Sequence, residues 1–230
     1  MPTEGAMTEK ITFTSKTGEL LTGELVLPQG ADKAPAVVLI QEWWGVNDHI
    51  RSLLERLAAA GFIALAPDLY HGQVTRDAEE AGRLMTALDK PRALGEIAAA
   101  VQHVTTLPRS NGRVGVMGFC MGGAFAFAAA ATVPELGAVV PFYGIPTPAP
   151  DYTTVRAPVL AHFAARDEWA KASDADQLKR QLESLGKSME LHVYDANHAF
   201  MNDTRPEVYH PEAAKLAWDR SLEFLRTHLG

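Results

Sequence analysis

The sequence predicts a single-domain α/β fold, a mostly parallel central sheet flanked by helices, and three observations carry that expectation. Strand-like and helix-like segments alternate along most of the chain, which implies a sheet covered by helices on both faces. Several of the strand candidates are nearly continuous apolar runs, the pattern of strands buried on both sides. Finally, 230 residues with 47% hydrophobic and 21% charged side chains suit one large domain, residues 1–230, with a sizeable core. Against 28 Asp and Glu stand 21 Lys and Arg, a formal net charge of −7, which excludes a surface built to neutralise nucleic-acid phosphates.

The first elements read as a hairpin: ITFTS (Ile11–Ser15) and ELVLP (Glu24–Pro28) alternate and are β-branched, with the turn-like KTGELLTG between them. APAVVLIQE (Ala34–Glu42) is the first buried strand, and IRSLLERLAAAG follows at helical spacing with Gly61 placed as a C-cap. Further strands are expected at Phe62–Tyr70, Arg113–Phe119, Gly137–Gly144, Ala157–Ala165 and Met189–Asp195, and helices at Asp77–Leu88, Ala93–Thr106, Met121–Thr132, Ser173–Leu185 and Pro211–Thr227. The Pro-dense PTPAP lies in a short connection between two core strands, which leaves no room for an inserted lid.

Val114–Pro134 is uncharged and long enough to invite a membrane reading, but Gly115, Gly118, Gly122 and Gly123 break it into a strand, a tight turn and a short helix. No membrane association is expected. The charged start MPTEGAMTEK lacks the apolar core of a secretory signal, so the cytoplasm is the expected location. Cys120 is the lone cysteine, which excludes an intramolecular disulfide framework and a Cys-rich metal site.

Gly118-Phe119-Cys120-Met121-Gly122-Gly123 sits where a strand ends and an Ala-rich helix begins. It has the nucleophile-elbow pattern G-x-S-x-G with sulfur in place of the hydroxyl. A nucleophile held on so sharp a turn needs small neighbours two residues away on each side, and Gly118 and Gly122 supply them. The turn would present Cys120 above the N-terminus of the next helix, whose dipole favours a thiolate. A dinucleotide-binding G-x-G-x-x-G fails on spacing, because the position that requires glycine is Cys120 itself.

Such an elbow orders its partners along the chain as nucleophile, acid, base. Of the later histidines, His162 and His192 fall inside expected strands and His210 and His228 near the last helix, where a core or solvated role suffices. His198 instead follows the last strand in DANHAF, where strand ends deliver catalytic groups. Asp167 ends the strand before it, in ARDEW, and is the expected acid; Glu168 is its neighbour and competitor, and Asp195 reads as a turn former. Gln41-Glu42-Trp43-Trp44-Gly45 closes the first buried strand. In an elbow fold the loop there and the residue after the nucleophile supply the oxyanion hole, which assigns the backbone N–H groups of Trp43 and Met121. Glu42 either acts at the site or pairs with an arginine to anchor the loop.

The chain resembles the dienelactone hydrolase (carboxymethylenebutenolidase) family of the α/β-hydrolase fold over nearly its whole length. The resemblance rests on QEWWG, APDLY, SNGRVGVMGFCMGG, AARDEW and ANHAF. It implies Cys120 as nucleophile, His198 as base, Asp167 as acid and Glu42 as an accessory carboxylate that helps deprotonate the thiol when substrate arrives. Members acting on dienelactone are similar to one another in gripping the substrate carboxylate with arginines. Here the position four past the histidine is Asn202, with Arg205 three further on, and the other falls at Ala78, with Arg76 and Arg83 nearby. With Trp44 and Tyr143, these residues form the candidate substrate contacts: Trp44, Tyr143, Arg76, Arg83, Asn202 and Arg205. The expectation is a cysteine hydrolase of small esters or lactones, a monomer or homodimer with no metal or organic cofactor. The alternatives are a thioesterase, or a non-catalytic binding or redox-sensing relative that uses Cys120 as a reactive thiol.

Overall fold

The computed structural model describes residues 8–30 and 33–230. Most of the amino-terminal stretch read for a signal lies outside the described residues. The chain packs into two compact units, Met1–Val114 with Gly230, and Gly115–Leu229. Among the described residues no helix is long and apolar enough to cross a membrane.

In the first unit β1 (Glu9–Thr14) and β2 (Leu20–Val26) form the expected antiparallel hairpin, with Ile11 opposite Gly23. The turn is tighter than KTGELLTG suggested. Ser15 and Gly18 (φ +86) close it, and Leu20 onward is already strand. β3 (Ala34–Ile40) pairs parallel with β4 (Ile63–Pro67), which pairs antiparallel with β2, an order of β1-β2-β4-β3. From Ala36 to Ile40 no side chain of β3 is exposed, as its unbroken apolar run requires.

α1 (Asp48–Ala59) buries Ile50, Leu53, Leu54, Leu57 and Ala58, one stripe at three- and four-residue spacing. Asn47 caps it by accepting a 3.1 Å hydrogen bond from Ile50 N–H, a cap worth about 1 kcal/mol. α2 (Ala78–Ala87) and α3 (Lys90–Thr106) complete the unit, capped by Asp77 and Asp89. α3 begins three residues before the expected Ala93, because Asp89 as cap and Pro91 in the first turn are a start signal in their own right.

β5 (Ser110–Phe119) carries the chain from the first unit into the second. There β5, β6 (Ala138–Phe142), β7 (Val159–Arg166) and β8 (Met189–Asn197) pair in parallel in that order. α4 (Met121–Thr132) packs on β6, α5 (Ala172–Ser184) on β7 and β8, and α6 (Pro211–Leu229) on β6, β7 and β8. α4 has apolar side chains nearly all round, the composition of a helix that lies inside the core. His162 is a satisfied core histidine: its fully buried ring bonds Tyr194 Oη at 2.9 Å and Ser221 Oγ at 3.0 Å, and burial pushes its pKa well down. Asp195 is not a turn former. It lies in β8, exposed, and pairs with Arg166 of β7.

Candidate active site

β5 delivers Cys120 and α4 begins one residue later, so the chain must reverse direction at the sulfur-bearing residue. Cys120 takes φ +55 and ψ −115, in the left-handed half of conformational space where a side chain is strained. Its N–H is held by Phe142 O at 3.1 Å and its C=O by Ala124 N–H at 3.1 Å. The reversal works only with glycine on either side. A Cβ on Gly118 would lie 2.0 Å from Gly122 O, and one on Gly123 would lie 2.3 Å from Phe142 O. Gly144, which sequence reasoning did not single out, is equally constrained: its Cβ would meet Cys120 O at 2.1 Å and Ala124 N at 2.6 Å. The available signal was a glycine directly after the apolar strand GAVVPFY.

His198 comes to the sulfur from the end of β8. Its Nε2 is 3.2 Å from Cys120 Sγ, and its Nδ1–H donates to Asp167 Oδ2 at 2.6 Å. Asp167, whose side chain is fully buried, follows β7 and is fixed by a second set of bonds: Oδ1 accepts from Trp169 N–H at 2.8 Å and Ala170 N–H at 2.9 Å. Both carboxylate oxygens are therefore committed, one to the backbone and one to the imidazole. Glu168 points away, exposed, toward Lys171 at 3.4 Å.

Burial of the His198 ring opposes its charge, but the hydrogen bonds to Asp167 and Cys120, with the charges of both, outweigh it and raise His198 to about 10. At neutral pH the ring then carries protons on both nitrogens. Such an imidazolium beside sulfur can stabilise a thiolate and later hand its Nε2 proton to a leaving group.

Tyr143 stands edge-on to His198 with ring centroids 5.1 Å apart, and it is fully buried in a left-handed conformation, φ +34, with its N–H on His162 O at 2.8 Å. Ala199 (φ +63) starts the turn after His198, and the fully buried Asn202 builds the rest: its Oδ1 accepts from Thr204 N–H at 3.1 Å and Thr204 Oγ1 at 2.6 Å. Arg205 pairs with Glu207 at 2.8 Å. Met121 opens α4 with its side chain buried.

The remaining candidates belong to the first unit. Glu42 is 1% exposed, an unusual burial for a carboxylate at the end of a strand. Trp43 and Trp44 meet edge to face at 4.9 Å, and Trp44 is buried. The turn after them is pinned by Asn47 N–H to Gly45 O at 3.0 Å and Thr75 N–H to Trp44 O at 3.1 Å. Arg76 is 96% exposed, with Asp48 at 4.0 Å, and Arg83 pairs with Glu80 one turn earlier on α2. Thus the structure brings Cys120, His198 and Asp167 together in one unit with Tyr143 against the ring, and sets Glu42, Trp43 and Trp44 on one turn of the other. Among the described residues no group of three or more His, Cys, Asp or Glu side chains is arranged to hold a metal ion.

A family model described as "Dienelactone hydrolase family" matches residues 21–229. The carboxymethylenebutenolidase of Pseudomonas putida is 33% identical over 235 residues, which cover 95% of this chain and 96% of that protein. Among solved structures, a candidate dienelactone hydrolase from Klebsiella pneumoniae subsp. pneumoniae is similar with a TM-score of 0.81 and 29% identity, covering 96% of this chain and 99% of that one. A dienelactone hydrolase-like promiscuous phosphotriesterase from metagenomic libraries shares the fold at a TM-score of 0.86 and 24% identity, covering 98% and 100%.

Proposed function

Because this chain belongs to the dienelactone hydrolase family, we propose that it is a single-domain α/β hydrolase that cleaves small carboxylic esters or lactones through a thioester on Cys120. The observation that carries the reading is the relay of contacts at Cys120, 3.2 Å from Sγ to His198 Nε2 and 2.6 Å from His198 Nδ1 to Asp167 Oδ2, on a backbone strained at the sulfur. The family match across both compact units supports treating them as one domain.

In this reading the thiolate attacks the acyl carbon, and the carbonyl electron pair moves onto oxygen. The Trp43 and Met121 N–H groups receive that oxyanion. As the tetrahedral adduct collapses, the C–O bond breaks and the alkoxide takes the Nε2 proton of His198. The ring, now neutral, removes a proton from water, hydroxide adds to the thioester, and the thiolate leaves with the acid as product. Asp167 holds the ring in the one orientation that serves both transfers. Glu42 assists ionisation of the thiol.

A chromogenic ester followed in the pre-steady state tests this. The expected result is a burst of one alcohol per site followed by turnover, with Cys120→Ala losing at least about a thousandfold in kcat and keeping its denaturation midpoint. Cys120→Ser retains weak activity, since a hydroxyl depends on general-base help far more than a thiol does. Stoichiometric acylation without turnover would favour the redox-sensing alternative, and a strong preference for thioesters over oxygen esters would favour the thioesterase.

A further inference from the structure

The first unit contains a buried carboxylate that the chemistry above does not use. Glu96, on the inner side of α3 with its side chain 6% exposed, meets Arg92 Nε at 3.0 Å and His71 Nε2 at 3.5 Å, and Arg92 in turn reaches Glu19 in the β1–β2 turn. Burial pushes the Glu96 carboxyl up while His71 and Arg92 beside it pull it down, with burial the stronger. A carboxylate taken so far out of water needs a reason beyond stability, since apolar residues of similar size usually do as well.

The reason lies in what His71 holds. It sits in the loop between β4 and α2, and it and Gly72 take consecutive left-handed conformations, φ +51 and +93. Asp68 secures that bend locally, its Oδ2 accepting from Gly72 N–H at 2.6 Å and its Oδ1 from Tyr70 N–H at 3.2 Å. The far end of the same loop presses on the Trp43–Trp44–Gly45 turn. Thr75 N–H donates to Trp44 O at 3.1 Å, and Gly45 (φ +89) lies so close that a Cβ there would fall 2.4 Å from Gln73 O. Glu96, His71, the Gln73–Thr75 segment and the Trp43–Trp44 turn thus form one continuous chain of contacts.

We propose that Glu96 and His71 are positioning residues: through the loop from Asp68 to Asp77 they hold the Trp43–Trp44 turn, whose Trp43 N–H the hydrolytic reading assigns to the oxyanion. The proposal rests on the assignment of that N–H in the hydrolytic reading. A donor displaced by a fraction of an ångström loses much of its value to the transition state and little to substrate binding.

The test compares Glu96→Gln, His71→Ala, His71→Lys and Gly45→Ala with the wild-type enzyme, reading kcat, KM, the rate at which iodoacetamide alkylates Cys120, and the denaturation midpoint. Alkylation needs the thiolate and no oxyanion donor, so it separates the turn from the sulfur. Glu96→Gln and His71→Ala are expected to lower kcat roughly ten- to a hundredfold with KM and alkylation nearly unchanged, and His71→Lys, which restores a donor toward Glu96, to recover most of the loss. His71→Ala, at a half-exposed residue, keeps the test valid if Glu96→Gln does not fold. Unchanged kcat in Glu96→Gln and His71→Ala while Gly45→Ala is impaired would overturn the proposal and leave the oxyanion assignment standing. Unchanged kcat in all three would remove the assignment as well. A fall in alkylation parallel to kcat would also overturn the proposal, since the site as a whole would then have loosened.

Discussion

Replacing Asp167 by Asn tests the relay at its most sensitive joint. The carboxylate is fully buried, and Oδ2 alone faces the imidazole while Oδ1 is occupied by the Trp169 and Ala170 N–H groups. The new amide can keep its oxygen on those two N–H groups only by turning its NH2 toward His198 Nδ1. That nitrogen must then be unprotonated, and the ring carries its proton on Nε2, where it cannot accept one from water. His198 at about 10, against an ordinary value near 6.5, represents about 5 kcal/mol favouring the imidazolium, shared between Asp167 and Cys120. Losing the Asp167 share costs roughly 10³- to 10⁴-fold in kcat by comparison with the same change in a serine relay. Hydrolysis of the proposed thioester, the step that reading assigns to His198 as base, should suffer more than its formation, so stopped-flow measurements with a chromogenic ester should show the burst persisting while turnover nearly stops. The pH dependence of stability moves as well. A raised histidine stabilises the fold fully below its unfolded value near 6.5 and loses that contribution as pH rises through about 10. The drop in denaturation midpoint between pH 6 and pH 10.5 should therefore be smaller in Asp167→Asn. A loss in kcat below about tenfold, with an unchanged pH slope, would refute the assignment of Asp167.

Gly144→Ala should destabilise the protein by about 1–3 kcal/mol in chemical denaturation and depress activity further, because its Cβ collides with Cys120 O and Ala124 N at the turn itself. Glu42→Gln should slow ester acylation and iodoacetamide labelling of Cys120 with little change in stability; reduced stability with unaltered labelling would assign Glu42 to anchoring the loop. A substrate with a free carboxylate should give a kcat/KM at least about tenfold below its methyl ester, the penalty for burying an anion without a cation. A preference for the acid that disappears in Arg76→Ala, Arg83→Ala or Arg205→Ala would reverse that conclusion.

The alternation of strands and helices was legible because each segment carries its own evidence: β3 is an unbroken apolar run and α1 a clean stripe with Asn47 before it and Gly61 after it. The contacts of Cys120, His198 and Asp167 were legible for a different reason. A parallel sheet sends every strand end to the same edge, so residues directly after β5, β7 and β8 converge whatever their distance along the chain. Boundaries were less legible where the cue was a cap rather than periodicity, as at Asp89 and Pro91 before α3.

The sharp turn at Cys120 was legible from Gly118 and Gly122, but the left-handed backbone around it at Tyr143 and Ala199 was not, and the reason is steric. Left-handed conformations are read from glycine or asparagine, yet Cys120, Tyr143 and Ala199 adopt them without either. Each is held by hydrogen bonds to segments distant or downstream in sequence: Cys120 N–H to Phe142 O, Tyr143 N–H to His162 O, and Asn202 N–H to Ala199 O. Strain of this kind persists only where surrounding structure over-determines it. The same logic explains Asn202. Where relatives acting on dienelactone were expected to carry an arginine, this chain uses a short buried amide to close the turn that begins at the strained Ala199, and its Oδ1 is already occupied by Thr204. An arginine there would forfeit both Thr204 bonds and set a long charged side chain in a fully buried place. The position expected to grip a substrate carboxylate therefore serves, in this chain, to close the turn that follows His198.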